Sequence, residues 1–368
     1  MLQEPRARSF AVLLLAVASA VAAQAPDLTL KVDQLAEGIY LFRAPSDLDR
    51  WTATNVVAII NQDDVTVFDS NTRPLTARMV IAEIRRLTAK PVRTLINSHW
   101  HMDHWSGNDE YVNAFPGLQI IATLETREYM RRMGSGFFAD SLHAGAARAR
   151  TALDEAIQTG KKSDGTPLTD EERRQQERDV ADRAAFAAEV AAIRRVLPNV
   201  GFQGSLTFWS GGREFRLFAA TGDATDSAAL YLPAEKILVC GDVLVHPESG
   251  DGPPPWTTNS YAITPWLESL RAFDTLDANI IVPGQGPAFH DKAYLRLTIE
   301  LYSAILEQVH AALERGLFKL DDVQAVVNVD AIGVRYTPGA TAPGEAFQRL
   351  KTTLVRKAYQ ESLDGVMR

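Results

Sequence analysis

Two stretches of this 368-residue chain run through the same order of elements without sharing a visible sequence. In the first, apolar strand-like runs at 55–60 and 64–68 lead into Asp69, Pro74 opens a helical stretch to about Ala89, and a strand at 92–96 ends at a polar loop. In the second, strand-like runs at 205–210, 214–219, 228–232 and 236–240 lead into Gly241-Asp242. Thr264 and Pro265 then read as N-cap and first residue of a helix to about Asp274, and a strand at 279–282 runs into Pro283-Gly284-Gln285-Gly286. A hairpin at 28–33 and 38–43, turning at Glu37-Gly38, precedes the first unit. Two mixed sheets, each covered by helices, satisfy this order, so the fold class is α/β.

Helical regions lie outside the duplication. Residues 124–198 are rich in Ala, Arg and Glu; Thr169-x-x-Glu172 forms a capping box, and Phe186, Val190, Ile193 and Leu197 make an apolar stripe above a solvated charged face. Residues 291–316 carry Leu295, Ile299, Tyr302, Leu306, Val309 and Leu313 at helical spacing and end at Gly316, and a further helix is expected over 345–362. The expected organisation is one domain over 24–368, with a helical insertion at 124–198 and a helical extension over 291–368.

Arg6 and Arg8 precede an apolar run from Phe10 to Val17 and then small residues to Ala23. That order describes a secretory signal over residues 1–23, too short for a comfortable membrane span, so a periplasmic or secreted location is expected, with no stable membrane association after its removal. The hydrophobic share of 46% and charged share of 23% are those of a globular chain. A formal net charge of −8 with no long basic run argues against nucleic acid as a partner and leaves a small-molecule substrate; oligomeric state is not legible. The lone cysteine, Cys240, excludes a disulfide framework or a Cys-rich metal site and, lying in an apolar strand run, reads as core.

The chemistry is concentrated in Ser98-His99-Trp100-His101-Met102-Asp103-His104-Trp105, just past the end of a strand. His99 and His101 stand two apart and can aim both imidazoles to one side. Asp103 and His104, being adjacent, are expected to point apart, toward a second position. Imidazole and carboxylate donors suit zinc and neighbouring transition metals. No Gly-x-Ser-x-Gly element suggests a serine nucleophile.

His-x-His-x-Asp-His after a strand resembles the signature of the metallo-β-lactamase-fold superfamily, and the resemblance covers roughly residues 28–290. It implies a four-layer αββα fold and matches Asp69 and Asp242 to that family's aspartate beside the metal site and its bridging aspartate. The pattern breaks at two places. Asp223, in Thr221-Gly222-Asp223, stands where the family has a histidine, and Gln285 stands for the histidine of a Pro-Gly-His-Gly loop. The implied first position then has His99, His101 and Asp223, and the second Asp103, His104, bridging Asp242 and at best the Gln285 amide oxygen. The alternatives are a turn or ion-pair role for Asp223 and a hydrogen bond to a ligand for Gln285. One or two zinc ions are expected, the second weakly held, with iron and manganese compatible because Asp223 adds a hard donor.

The resemblance implies hydrolysis of lactams, lactones, thioesters, phosphodiesters or alkyl sulfates by metal-activated water. Asp103 would orient that water and shuttle its proton, and Asp69 would orient a ligand. His246 could contact substrate or fill the ligand gap. Trp51, Trp100, Trp105 and Trp256 could wall the pocket, with the Pro- and Gly-rich segment 247–260 as its lip. Two other readings stay open: a binding or regulatory protein that has lost catalysis, and an iron oxidoreductase at the same place.

Overall fold

The structure, a computed structural model, describes residues 29–44, 54–247, 262–336 and 342–366, and the side chains of all of these except 134–138 and 364–366. The expected signal at 1–23 lies outside them.

The chain opens with β1 (Lys31–Ala36), β2 (Ile39–Arg43), β3 (Val56–Ile60), β4 (Val65–Phe68), α1 (Pro74–Leu87) and β5 (Val92–Ile96). The short helices α2 (Met102–Trp105) and α3 (Asn108–Ala114) lead to β6 (Gln119–Thr123), α4 (Leu124–Thr159), α5 (Asp170–Ala191) and β7 (Val200–Phe202). The second half contains β8 (Ser205–Ser210), β9 (Arg213–Ala219), β10 (Ala228–Leu232), β11 (Ile237–Val239), α6 (Ile263–Thr275) and β12 (Ile280–Val282). It is followed by α7 (Ala293–Glu314), α8 (Leu320–Val326), α9 (Asp330–Tyr336) and α10 (Glu345–Val366).

The strands make a seven-stranded sheet in the order β1 to β7 and a five-stranded sheet in the order β12-β11-β10-β9-β8. Both are mixed. β4 pairs parallel with β5 across the α1 crossover, and β11 pairs parallel with β12 across the α6 crossover. Alternation along the strands accounts for the layers. Val57, Ile59 and Phe68 of the first sheet meet Leu230, Leu232, Val239 and Val282 of the second. On the outer faces, Val56, Ala58, Val65 and Val67 pack on Val80, Ile81 and Ile84 of α1, whereas Ala229, Tyr231 and Cys240 pack under α6 and α7. The result is the expected αββα sandwich. Cys240 is wholly buried, as its sequence context indicates.

Three local expectations need correction. The helix of the second unit begins at Ile263, after Ala262, and not at Pro265 behind a Thr264 cap. The carboxylate of Glu361 on α10 accepts from the backbone N–H groups of Ile263 and Thr264, so a distant side chain supplies the cap. In the insertion, the Thr169–Glu172 capping box forms, but α5 stops at Ala191. Ile193 and Leu197 continue the apolar stripe from an irregular segment and still pack beside Phe186 and Val190. Finally, β6 and β7 were not anticipated; they extend the first sheet by two parallel strands on either side of α4 and α5. Among the described residues, no helix is long and apolar enough to cross a membrane.

Candidate metal centre

The site lies where the ends of β4, β5, β11 and β12 meet. β4 ends at Asp69, whose φ of 59° places it in the left-handed region, a conformation Asp and Asn adopt more readily than most side chains. This turns its carboxylate back beneath the loop after β5. Asp69 Oδ1 accepts the Ser98 N–H at 2.7 Å, and Oδ2 accepts the Ser98 hydroxyl at 2.8 Å and contacts His104 Nδ1 at 2.7 Å.

These contacts assign the tautomers of two imidazoles. In its neutral form His104 donates its Nδ1–H to Asp69, which leaves its Nε2 lone pair facing the cavity. Ser98 spends its proton on Asp69 and therefore accepts from His99 Nδ1 at 3.0 Å, which leaves His99 Nε2 bare as well. His99 Nε2 lies 2.9 Å from His101 Nδ1, and His101 Nδ1 lies 3.4 Å from Asp223 Oδ2.

α2 places the next pair. Asp103 and His104 do not point apart: Asp103 Oδ2 and His104 Nε2 are 3.1 Å from one another, because both lie on the first turn of a four-residue helix packed over the cavity. Thr54, wholly buried, donates its hydroxyl to Asp103 Oδ2 at 2.7 Å. Asp242 faces both pairs, with Oδ2 at 3.3 Å from His104 Nε2 and 4.0 Å from His99 Nε2. Two groups result, His99–His101–Asp242 and Asp103–His104–Asp242, each with its donor atoms within 4.8 Å of one another. Asp223 adjoins the first through His101.

The electrostatics follow from burial and this crowding. Desolvation pulls His99 well below the usual imidazole range and His101 below it, so both keep a lone pair to donate. For His104, burial opposes protonation, but Asp103, Asp242 and Asp69 outweigh it and raise the ring well above that range. Burial raises the carboxyls of Asp69 and Asp242, while the surrounding imidazoles hold Asp103 low against its own desolvation. The residues present fit a cation. Asp242 Oδ1, His104 Nε2 and Gln285 Oε1 are buried without hydrogen-bond partners, and the surplus negative charge around His104 is what a divalent ion would neutralise.

Gln285 is held by its backbone. Thr54 and Gln285 form an isolated antiparallel bridge, and Asn55 donates from its backbone to Gly284 O and from its side chain to Pro283 O and Gly286 O, each at 2.8 Å. Gly284 has no alternative: a Cβ there would lie 1.8 Å from Asp242 Oδ1.

The other candidates fall differently. His246 stacks on Phe289 at 4.6 Å between ring centroids, is bound through its backbone N–H to Gln285 O, and joins neither donor group. Trp105 is 1% exposed and packs with Met130, Phe186 and Val190, so it anchors the insertion and offers no pocket wall. Trp100 is half-buried beside the His101 ring. Trp51, Trp256 and residues 248–260 of the expected lip lie outside the described residues. Sequence reasoning missed Ser98, Thr54 and Asn55. Ser98 could have been found as the residue between a strand end and a histidine pair; nothing in the sequence marks Thr54 or Asn55.

The geometry can be set against known proteins. A family model described as the metallo-beta-lactamase superfamily matches residues 49–285. A linear primary-alkylsulfatase from Pseudomonas sp. (strain ATCC 19151) is 24% identical over 277 residues, which is 71% of this chain and 47% of that protein, so the chain spans about half of this relative's length. Among solved structures, TMB-1 aligns with a TM-score of 0.50 at 18% identity, over 74% of this chain and 97% of that one. VMB-1 aligns with a TM-score of 0.50 at 16% identity, over 75% and 98%. With the αββα layers, the His-x-His-x-Asp-His loop and a family match over well more than half its length, this chain belongs to the metallo-beta-lactamase superfamily.

Proposed function

We propose that the chain is an exported zinc hydrolase of sulfate esters carried on small alkyl groups. The observation that carries hydrolysis is the convergence of two donor groups on one shared carboxylate, Asp242. The substrate class is drawn from the relative named a linear primary-alkylsulfatase. Export is supported by the charged, apolar and small-residue order of residues 6–23.

His99, His101 and Asp223 would hold one ion, Asp103 and His104 a second, with Asp242 between them and the Gln285 amide oxygen the weakest donor. When bound, the metal lowers the pKa of water toward neutrality and stabilises the charge that develops on oxygen. Asp103, kept ionised by its imidazole neighbours and fixed by the Thr54 hydroxyl, accepts a hydrogen bond from the attacking water and orients it. Asp69 acts through His104, holding the ring and its tautomer. Trp100, beside His101, borders the substrate's apolar part.

The test is an assay of zinc-supplemented protein, with elemental analysis, against a primary alkyl sulfate, a cephalosporin and an aryl phosphodiester. The reading expects zinc-dependent release of sulfate. Turnover of another ester or lactam alone overturns the substrate class and leaves the hydrolase. Bound zinc without any turnover supports the binding protein, and iron as the dominant metal supports the oxidoreductase.

A further inference from the structure

Asp226 is 2% exposed and belongs to no donor group described above. Its Oδ2 accepts the backbone N–H of Trp100 at 3.0 Å, the peptide that joins His99 to Trp100. The next peptide is held too, because the Trp105 indole donates to Trp100 O at 2.7 Å. Both peptides flanking Trp100 therefore have fixed partners, and the Trp100 ring lies edge-on to His101 at 4.8 Å.

Asp226 is itself tied to the insertion. Its carbonyl oxygen accepts the hydroxyls of Thr123 and Thr126 at 3.1 and 2.9 Å, and Thr123 is the N-cap of α4. Tyr129, one turn further along α4, lies 5.9 Å from the Trp100 ring. The remaining oxygen, Oδ1, is buried without a hydrogen-bond partner. Burial pushes the carboxyl up to about 7. An ionisable group kept in so costly a place, with one oxygen committed to the loop between two histidines, calls for a role.

We propose that Asp226 is a positioning residue for the metal loop: through the Trp100 amide it fixes the spacing of His99 and His101, and through Thr123 and Thr126 it ties that spacing to the first turn of α4. This rests on the assignment of His99 and His101 as ligands. The prediction is selective, because Asp103 and His104 sit on α2 and do not depend on the Trp100 amide.

The test is a stepwise competition titration with zinc, reading the two binding steps separately, alongside circular dichroism and thermal melting. Asp226→Ala is expected to weaken the step lost in His101→Ala by roughly 10- to 100-fold, the range seen when groups behind a ligand are removed. The step lost in His104→Ala should stay within about 3-fold of wild type, well below the loss expected when a group behind a ligand is removed, because Asp226 holds the Trp100 amide and not α2. Asp226→Asn, which keeps an acceptor oxygen for the amide, should restore most of the loss. Asp226→Thr, too short to reach that amide, should repeat the split and is the variant to read should the alanine protein not fold. Equal weakening of both steps, or no weakening, overturns the proposal. If His101→Ala leaves both steps unchanged, the ligand assignment itself falls, and the two failures are thereby distinguished.

Discussion

Asp69 and Asp242 occupy the same place in the two halves of the molecule and do opposite work. Each follows a strand, β4 or β11, that pairs in parallel with the next strand through a helical crossover. Asp69 uses both oxygens on protein donors, taking the Ser98 N–H and hydroxyl and His104 Nδ1. Asp242 leaves Oδ1 without a hydrogen-bond partner and turns Oδ2 toward His99 and His104. A duplicated topology thus delivers two carboxylates to one cavity, and the surrounding donors decide which is spent on holding an imidazole and which is left open toward the donor groups. In the first half those donors come from the serine beside the histidine pair. In the second, the facing loop offers only Gly284, whose bare Cα permits the close approach.

This contrast can be broken by substitution. The largest effect is expected for Asp242→Ala, which removes the donor common to both groups. Metal content should fall to background and hydrolysis by on the order of 10³-fold or more, since the chemistry depends on the bound ion; elemental analysis and steady-state rates check it. Gly284→Ala should come close to it without touching a donor, because the new methyl collides with Asp242, and comparing zinc content with the melting temperature separates lost ligation from lost fold. Asp223→Ala follows, weakening the first position strongly while the second persists, as read by zinc titration.

Asp69→Asn should be milder. The side chain keeps one acceptor oxygen but no longer holds the His104 tautomer by charge, and affinity at the second position should fall by roughly 10- to 100-fold. Gln285→Ala should be the smallest, with zinc content nearly unchanged. Gln285→His should instead tighten the second step; an unchanged value would mean that the clamp from Asn55 aims position 285 away from the ion.

The architecture was legible wherever a short, largely apolar run was bounded by polar residues. The runs through Val56–Ile60, Val65–Phe68 and Val92–Ile96 appear with their expected bounds nearly unchanged. β7 escaped because three residues carry no periodicity, and β6 because it passes into α4 without a break in the apolar pattern. The α6 start was misplaced for a different reason: its cap comes from Glu361, nearly a hundred residues away, and no local pattern can announce that. At the site, spacing named His99, His101, Asp103 and His104, and the family resemblance named Asp69, Asp223, Asp242 and Gln285, but neither gave their directions. Asp103 and His104 converge because a one-turn helix forms there, and Thr54 and Ser98 matter only through contacts made after folding. Trp105 looked like a pocket residue from its place beside the motif, whereas packing against the insertion buries it.

The most direct test of the central claim, that one shared carboxylate organises two donor groups around metal, is anomalous diffraction at the zinc edge from crystals grown with zinc. The account predicts a strong peak among His99, His101, Asp223 and Asp242 and a weaker one among Asp103, His104 and Asp242. Absence of both peaks, or a peak that leaves Asp242 outside its coordination, would contradict it.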